Sequence, residues 1–199
     1  MSSQLILAST SRYRHELLSR LRLSFIALAP VADETPLPGE QPLATALRLA
    51  KAKAQSLAAH NPDAHIIGSD QVADLDGVAL SKPGNHANAR QQLQAMRGRS
   101  ITFHTALAVY DARRQYMHSC TVPTLVQFRH FDDATIEHYL LAEMPYDCAG
   151  SAKAEGLGIT LIASIQSDDP TALIGLPLIA LTNLLQQVGI LLPPKFPLD

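Results

Sequence analysis

A chain of 199 residues with 47% apolar and 17% charged residues can bury a sizeable core and is too apolar for disorder. Its net charge of −2 excludes wholesale binding to nucleic acid or an acidic membrane, so any phosphate site must be a local cluster of cations. The two cysteines, Cys120 and Cys148, match neither a zinc spacing nor a disulfide framework, which implies a reduced, cytoplasmic compartment.

The N-terminus has no basic region before its short apolar run, so it does not read as a signal peptide, and no run is long enough to span a bilayer. Leu5 to Ala8 reads as a buried strand. Ser9-Thr10-Ser11 can cap a helix from Arg12 to Leu21, with Leu17, Leu18 and Leu21 inward. A strand feeding a helix through hydroxyl residues leaves free N–H groups that favour an anion. Arg12 and Arg14 oppose the dipole of that first turn; a phosphate partner or plain solvation would each explain them. Ser24 to Leu28 is a second strand, followed by a proline- and acid-rich loop from Pro30 to Pro42 that carries Asp33-Glu34-Thr35. Leu43 to Ala58 repeats apolar residues at helical spacing, and Lys53 falls near the apolar stripe, where it either snorkels or reaches a site.

Ile66 to Ala73 is the stretch around which the rest is organised. It reads as a buried strand with Asp70 in its middle, and a buried carboxylate is costly unless paired. It is either tied up structurally, by backbone N–H groups or a lysine, or it is chemical. Asp74 to Gly77 predicts a hairpin turn, and Ser81-Lys82-Pro83-Gly84 places a lysine before a bend. Asn85 or Asn88 caps a helix to Met96 that Gly98 stops. Ile101 to Tyr110 alternates as a strand, Gln115 to Phe131 offers one or two more, and Asp132-Asp133 cap a helix from Ala134 to Met144. Pro145 to Gly158 has no regular pattern and is expected to end in a strand, Ile159 to Ile162. Asp168-Asp169-Pro170 makes a turn, Pro177 opens a final helix ending near Gly189, and the tail from Pro193 to Pro197 packs on the surface or frays. These elements predict an α/β fold with a mixed twisted sheet flanked by helices, in a single domain spanning 1–199. Histidines show no ligand spacing, and His104 and His130 read as paired or exposed.

Leu5 to Ser11 with Arg14, then Asp33-Glu34-Thr35, Leu49-Ala50 with Lys53-Ala54, Gly68 to Val72, Lys82-Pro83, Phe103 to Thr105, Cys148 to Ser151, Glu155-Gly156, Gly158-Ile159 and Gly175 to Leu178 together resemble the Maf family of nucleoside triphosphate pyrophosphatases. The resemblance covers nearly the whole chain. It implies an inosine-triphosphatase-like fold with a cleft between two lobes, hydrolysis between the α and β phosphates, a divalent metal of the magnesium or manganese type, and a homodimer by family likeness alone. Tyr13, Gln71 and Glu155 resemble the YceF-type branch, which acts on 7-methyl-GTP, more than the branch acting on dTTP and UTP. Arg12, Ser81 and Ala106 depart from the usual family residues. A nucleotide-binding regulator of septum formation is the reading from another class.

On that resemblance Arg14, Lys53 and Lys82 are the phosphate-binding cations, joined by donors from Ser9 and Ser11. Asp70 orients or deprotonates the attacking water and touches the metal, with Glu34 as the second carboxylate. Tyr13 offers an aromatic face to the cationic methylated base, Glu155 accepts from guanine, and Gln71 completes the pocket.

Overall fold

The computed structural model describes residues 3–194. Its elements are β1 (Leu5–Ala8), α1 (Arg12–Ser19), β2 (Ile26–Leu28), α2 (Pro42–Gln55), β3 (His65–Leu75), β4 (Val78–Leu80), α3 (His86–Met96), β5 (Ser100–Asp111), β6 (Tyr116–Phe128), α4 (Asp133–Glu143), β7 (Ile162–Gln166) and α5 (Leu178–Gln187). The strands form one seven-stranded sheet in the order β2-β1-β3-β5-β6-β7, with β4 attached to β3. β1 runs parallel to β2 and β3, and every other pairing is antiparallel. The expected mixed sheet flanked by helices is what the chain builds.

Side chains alternate across the pleat and sort the core into regions. Leu5, Leu7, Ile67, Leu107 and Val109 face α1 and α5. Ile6, Ala8, Ile66, Ala106, Ala108 and Tyr110 face the opposite way, onto the alanine stripe Ala46, Ala50 and Ala54 of α2. Farther along the long strands, Ala73, Ile101, Phe103, Val126 and Phe128 pack under Leu93 and Met96 of α3 and Ile136 and Leu140 of α4.

The caps follow residue chemistry. Ser11 Oγ accepts from Arg14 N at the start of α1, Asn85 rather than Asn88 caps α3, and Asp132 Oδ1 accepts from Thr135 N at 2.8 Å to open α4. Asp74 Oδ1 accepts from Gly77 N at 2.7 Å, closing the expected β3–β4 hairpin. Gln115 to Phe131 holds one strand, β6.

Two expectations shift. Ile159 to Leu161 belongs to a 3₁₀ turn spanning Leu157–Leu161, and the strand begins at Ile162. The polar groups of that segment are spent locally: Thr160 Oγ1 donates to Leu157 O at 2.7 Å and Leu157 N to Glu143 at 2.8 Å. Pro177 stands at the N-cap of α5, one position before its first turn, and has no capping side chain. Asp169, read as part of a turn, caps from a distance: Oδ2 accepts from Ile179 N at 2.7 Å and Ala180 N at 3.2 Å, while Leu178 N donates to Thr171 Oγ1. The expectation for the tail beyond Pro194 lies outside the described residues.

Candidate functional site

β1 stops at Ala8, but β3 continues to Leu75. β1 pairs with β3 from Leu5↔His65 as far as Leu7↔Ile67, and β4 takes up that edge only from Ala73↔Leu80. Between them the β3 edge from Gly68 to Val72 has no strand neighbour on that side among the described residues. The chain leaving β1 turns away into Ser9–Ser11 and α1, so a cleft opens at the carboxyl end of β1, the place where α/β sheets take ligands. Its volume is about 680 Å³.

Ser9, Ser11, Tyr13, Arg14, Glu34, Lys53, Gln71, Lys82 and Glu155 all line this cleft. Asp70 sits just behind it, 8% exposed, and is reached through Lys53. The structure therefore gathers every candidate site residue singled out in the sequence, from six separate stretches.

Lys53 does not snorkel. It is 7% exposed, and its Nζ lies 2.6 Å from Asp70 Oδ1 and 2.7 Å from Glu34 Oε1. The ammonium thus bridges the two carboxylates expected to share a metal. Burial pushes the Asp70 pKa up, and the charges of Lys53 and then Arg14 pull against that rise. The Lys53 hydrogen bond holds Glu34 below the usual glutamate range, with burial opposing and Lys82 and Arg14 adding to the depression. The loop carrying Glu34 is fastened to α2: Arg48 forks onto both carboxylate oxygens of Glu40 at 2.7 Å and donates to Thr35 O at 3.2 Å. That pairing holds the Glu40 carboxyl down at about 2.

Arg14 donates Nε to Gly175 O at 2.9 Å, which leaves its terminal nitrogens for the cleft. Burial lowers its pKa, while Asp70 and Glu34 resist that. Ser9 Oγ accepts from Ser11 N at 3.1 Å, and Ser11 Oγ accepts from Arg14 N at 3.4 Å. Each hydroxyl is used internally as an acceptor, so its O–H stays available to a ligand oxygen. Lys82 is exposed at the cleft rim.

Tyr13 already attracts cations. The Arg12 guanidinium carbon lies 4.7 Å from its ring centroid and Lys153 Nζ lies 5.7 Å away. Gln71 has a structural duty besides lining the cleft: its amide nitrogen donates to Thr105 Oγ1 at 2.9 Å and to the carbonyls of Ala172 and Leu173 at 3.0 Å. Those carbonyls fix the amide's orientation and turn Oε1 the other way. Glu155 keeps exposed surface, yet burial against the cleft wall raises its pKa; Lys153 opposes the rise, and Glu143 and Asp147 reinforce it.

Sequence reasoning missed Ser69, whose hydroxyl lies 2.8 Å from Gly175 O and 2.9 Å from Ala106 O, buried under the cleft floor. It also missed Glu143, Lys153 and Asp169. A serine flanked by glycine and aspartate was the one available signal; the other three read as ordinary polar positions.

A magnesium-type ion takes few carboxylates and completes its shell with phosphate oxygens and water. Glu34 and Asp70 each contribute only one oxygen to Lys53, so their donor chemistry fits such an ion. Among the described residues no cluster of three or more His, Cys, Asp or Glu gathers.

An α/β sheet with an open strand edge ringed by cations and hydroxyl donors defines a protein built to hold a polyphosphate anion. Residues 4–188 match the Maf-like protein family, and the chain belongs to it. It is 59% identical over 189 residues to a 7-methyl-GTP pyrophosphatase of Paraburkholderia xenovorans, covering 94% of this chain and 92% of that protein. Proteins of the same name from Burkholderia pseudomallei, 58% identical with 94% and 88% covered, and Cupriavidus pinatubonensis, 58% identical with 94% of each covered, are similar to the same extent. No helix among the described residues is long and apolar enough to cross a membrane.

Proposed function

We propose that this chain, acting as one domain in the cytoplasm, hydrolyses 7-methyl-GTP to 7-methyl-GMP and diphosphate. The observation that carries the reading is the division of the cleft into two electrostatic groups. In one part Lys53 Nζ bridges Asp70 at 2.6 Å and Glu34 at 2.7 Å, with Arg14 and Lys82 lining the same cleft, and in the other Glu155 stands on the wall whose Lys153 Nζ lies 5.7 Å from the Tyr13 ring. The first suits a metal-bound triphosphate and the second a guanine. The names borne by similar proteins agree.

In this reading Arg14, Lys53 and Lys82 take the phosphate oxygens, with hydrogen bonds from Ser9 and Ser11. Asp70 accepts a proton from water as its oxygen attacks the α phosphorus, and the bond to the bridging oxygen breaks toward diphosphate. Burial raises the Asp70 pKa and so makes it more basic, while the Lys53 charge opposes that rise. Glu34 and Asp70 would hold the divalent ion, which would supply neutralisation of phosphate charge. The cationic base takes the place of the Arg12 guanidinium on Tyr13, and Glu155 accepts from its N–H groups.

The test is a screen of nucleoside triphosphates, methylated ones included, scored for diphosphate and monophosphate. The expected result is diphosphate release with 7-methyl-GTP preferred. Orthophosphate as first product overturns α–β cleavage, a preference for UTP or dTTP overturns the base assignment, and binding without turnover favours a regulator.

A further inference from the structure

The segment from Pro145 to Gly158 carries Glu155 into the cleft, yet it contains only short 3₁₀ turns and no strand or α-helix. Around Glu155 it is gripped by a carboxylate outside the cleft lining. Glu143, the last residue of α4, accepts from Lys153 Nζ at 2.7 Å through Oε1 and from Leu157 N at 2.8 Å through Oε2. One side chain thus grips the loop on both sides of Glu155. Tyr139, one turn earlier on α4, adds a third fastening by accepting from Lys153 N at 3.1 Å.

Gly156 is shaped to this grip. Its φ is −126°, outside the left-handed region, so φ by itself does not demand glycine there. Space does: a Cβ would lie 2.6 Å from Glu143 Oε2. The Glu143 side chain is 13% exposed, and the bonds from Lys153 and Leu157 hold its pKa down. The ammonium it pairs reaches toward α1 on the facing wall, 5.7 Å from the Tyr13 ring. Glu143 therefore fastens the loop on both sides of Glu155 and pairs the ammonium that faces the Tyr13 ring.

We infer that Glu143 is a positioning residue for base selection, acting through Lys153 and the Leu157 amide. This rests on the reading of Tyr13 and Glu155 as the base pocket. A displacement of about 1 Å in such a loop can cost up to ~100-fold in a reaction it supports. The loss here falls on selectivity, because the phosphate-binding cations belong to other segments.

The experiment measures kcat and KM for 7-methyl-GTP, GTP, UTP and dTTP on wild type, Glu143→Gln, Glu143→Ala and Gly156→Ala, with melting temperatures alongside. Gly156→Ala leaves Glu143 in the chain and only pushes its carboxylate aside, which guards against a fold lost by truncation. Expected are folded variants whose KM for 7-methyl-GTP rises by roughly tenfold or more relative to GTP, with kcat changed far less. Hydrogen exchange at the Leu157 amide speeds up in all three. A selectivity order identical to wild type in folded variants overturns the inference, as does an equal fall in kcat on every nucleotide. If wild type prefers UTP or dTTP, the functional reading fails, but a shifted order in the variants still upholds Glu143 and an unshifted one still overturns it.

Discussion

At the scale of single residues, the proposed chemistry turns on the Lys53–Asp70 pair. Both partners are buried, so the pair answers the cost of placing a carboxylate in a strand interior and also leaves a base of raised pKa behind the cleft. Asp70→Asn keeps the shape and one hydrogen bond to Lys53; we expect kcat to fall by ~10²–10⁴-fold with the melting temperature near wild type. The acid limb of kcat/KM should lie above 3.8, the ordinary aspartate value. Lys53→Met removes the charge that lowers the Asp70 pKa, so in any residual activity that limb moves to still higher pH. Stability has the matching sign. A carboxyl with a raised folded pKa binds its proton more tightly folded than unfolded, so this group's contribution declines as pH rises from 3.8 through the folded value. Thermal scans across that window should show Asp70→Asn gaining on wild type as pH increases. Asp70 was legible in the sequence because a carboxylate among β-branched residues is anomalous. Glu143 was not, since an acid at a helix end looks solvated until the loop it grips is folded against it.

Among elements, α2 lies tightly against β3 at Gly68. A Cβ on Gly68 would lie 2.2 Å from Ala50 O and 2.7 Å from Ala54 N, both backbone atoms of the helix, so no side-chain adjustment relieves the clash. Gly68→Ala must lift α2 and with it Lys53. We expect a loss of ~1–3 kcal/mol in denaturant unfolding together with reduced turnover. The second junction is the start of α5, whose N–H groups are satisfied by Asp169 and Thr171 instead of a residue at its own N-cap. Asp169→Ala should lower stability by about 2 kcal/mol, read as a shifted denaturant midpoint at constant m. Strands and helices with clear periodicity were legible in the sequence to within a few residues. The final strand was displaced because Gly156 and Gly158 allow a turn that periodicity cannot register; a Cβ at Gly158 would meet the Lys153 backbone at 2.6 Å. Remote capping by Asp169 was illegible for a related reason, as it depends on how the turn from Ala172 to Ile174 folds back, a matter settled partly by Gln71 across the sheet.

For the whole molecule, a net charge of −2 contrasts with a cleft that concentrates Arg14, Lys53 and Lys82. Attraction of a triphosphate is thus local and open to screening: the Debye length shrinks from roughly 10 Å at 0.1 M salt to about 3 Å at 1 M. KM for the nucleotide should rise several-fold over that range, with kcat less affected because Lys53 and Asp70 meet away from water. A KM indifferent to salt would place the binding energy in the base instead. The mixed sheet follows from alternating patterns in the sequence, but the cleft does not. It arises from a mismatch of strand lengths, β1 ending at Ala8 while β3 runs to Leu75, and such a mismatch exists only once the strands are in register.

The bond from Arg14 to the Gly175 carbonyl spans 161 residues, whereas Lys53 and Asp70 are 17 apart. During synthesis, at roughly 5–20 residues per second, the α2–β3 unit can form its buried pair long before Gly175 is made. Throughout that interval the nascent chain has its base and its lysine, but neither the carbonyl that orients Arg14 nor the wall that carries Glu155. In the proposed mechanism the complete cleft therefore waits until Gly175 has been made and has met Arg14.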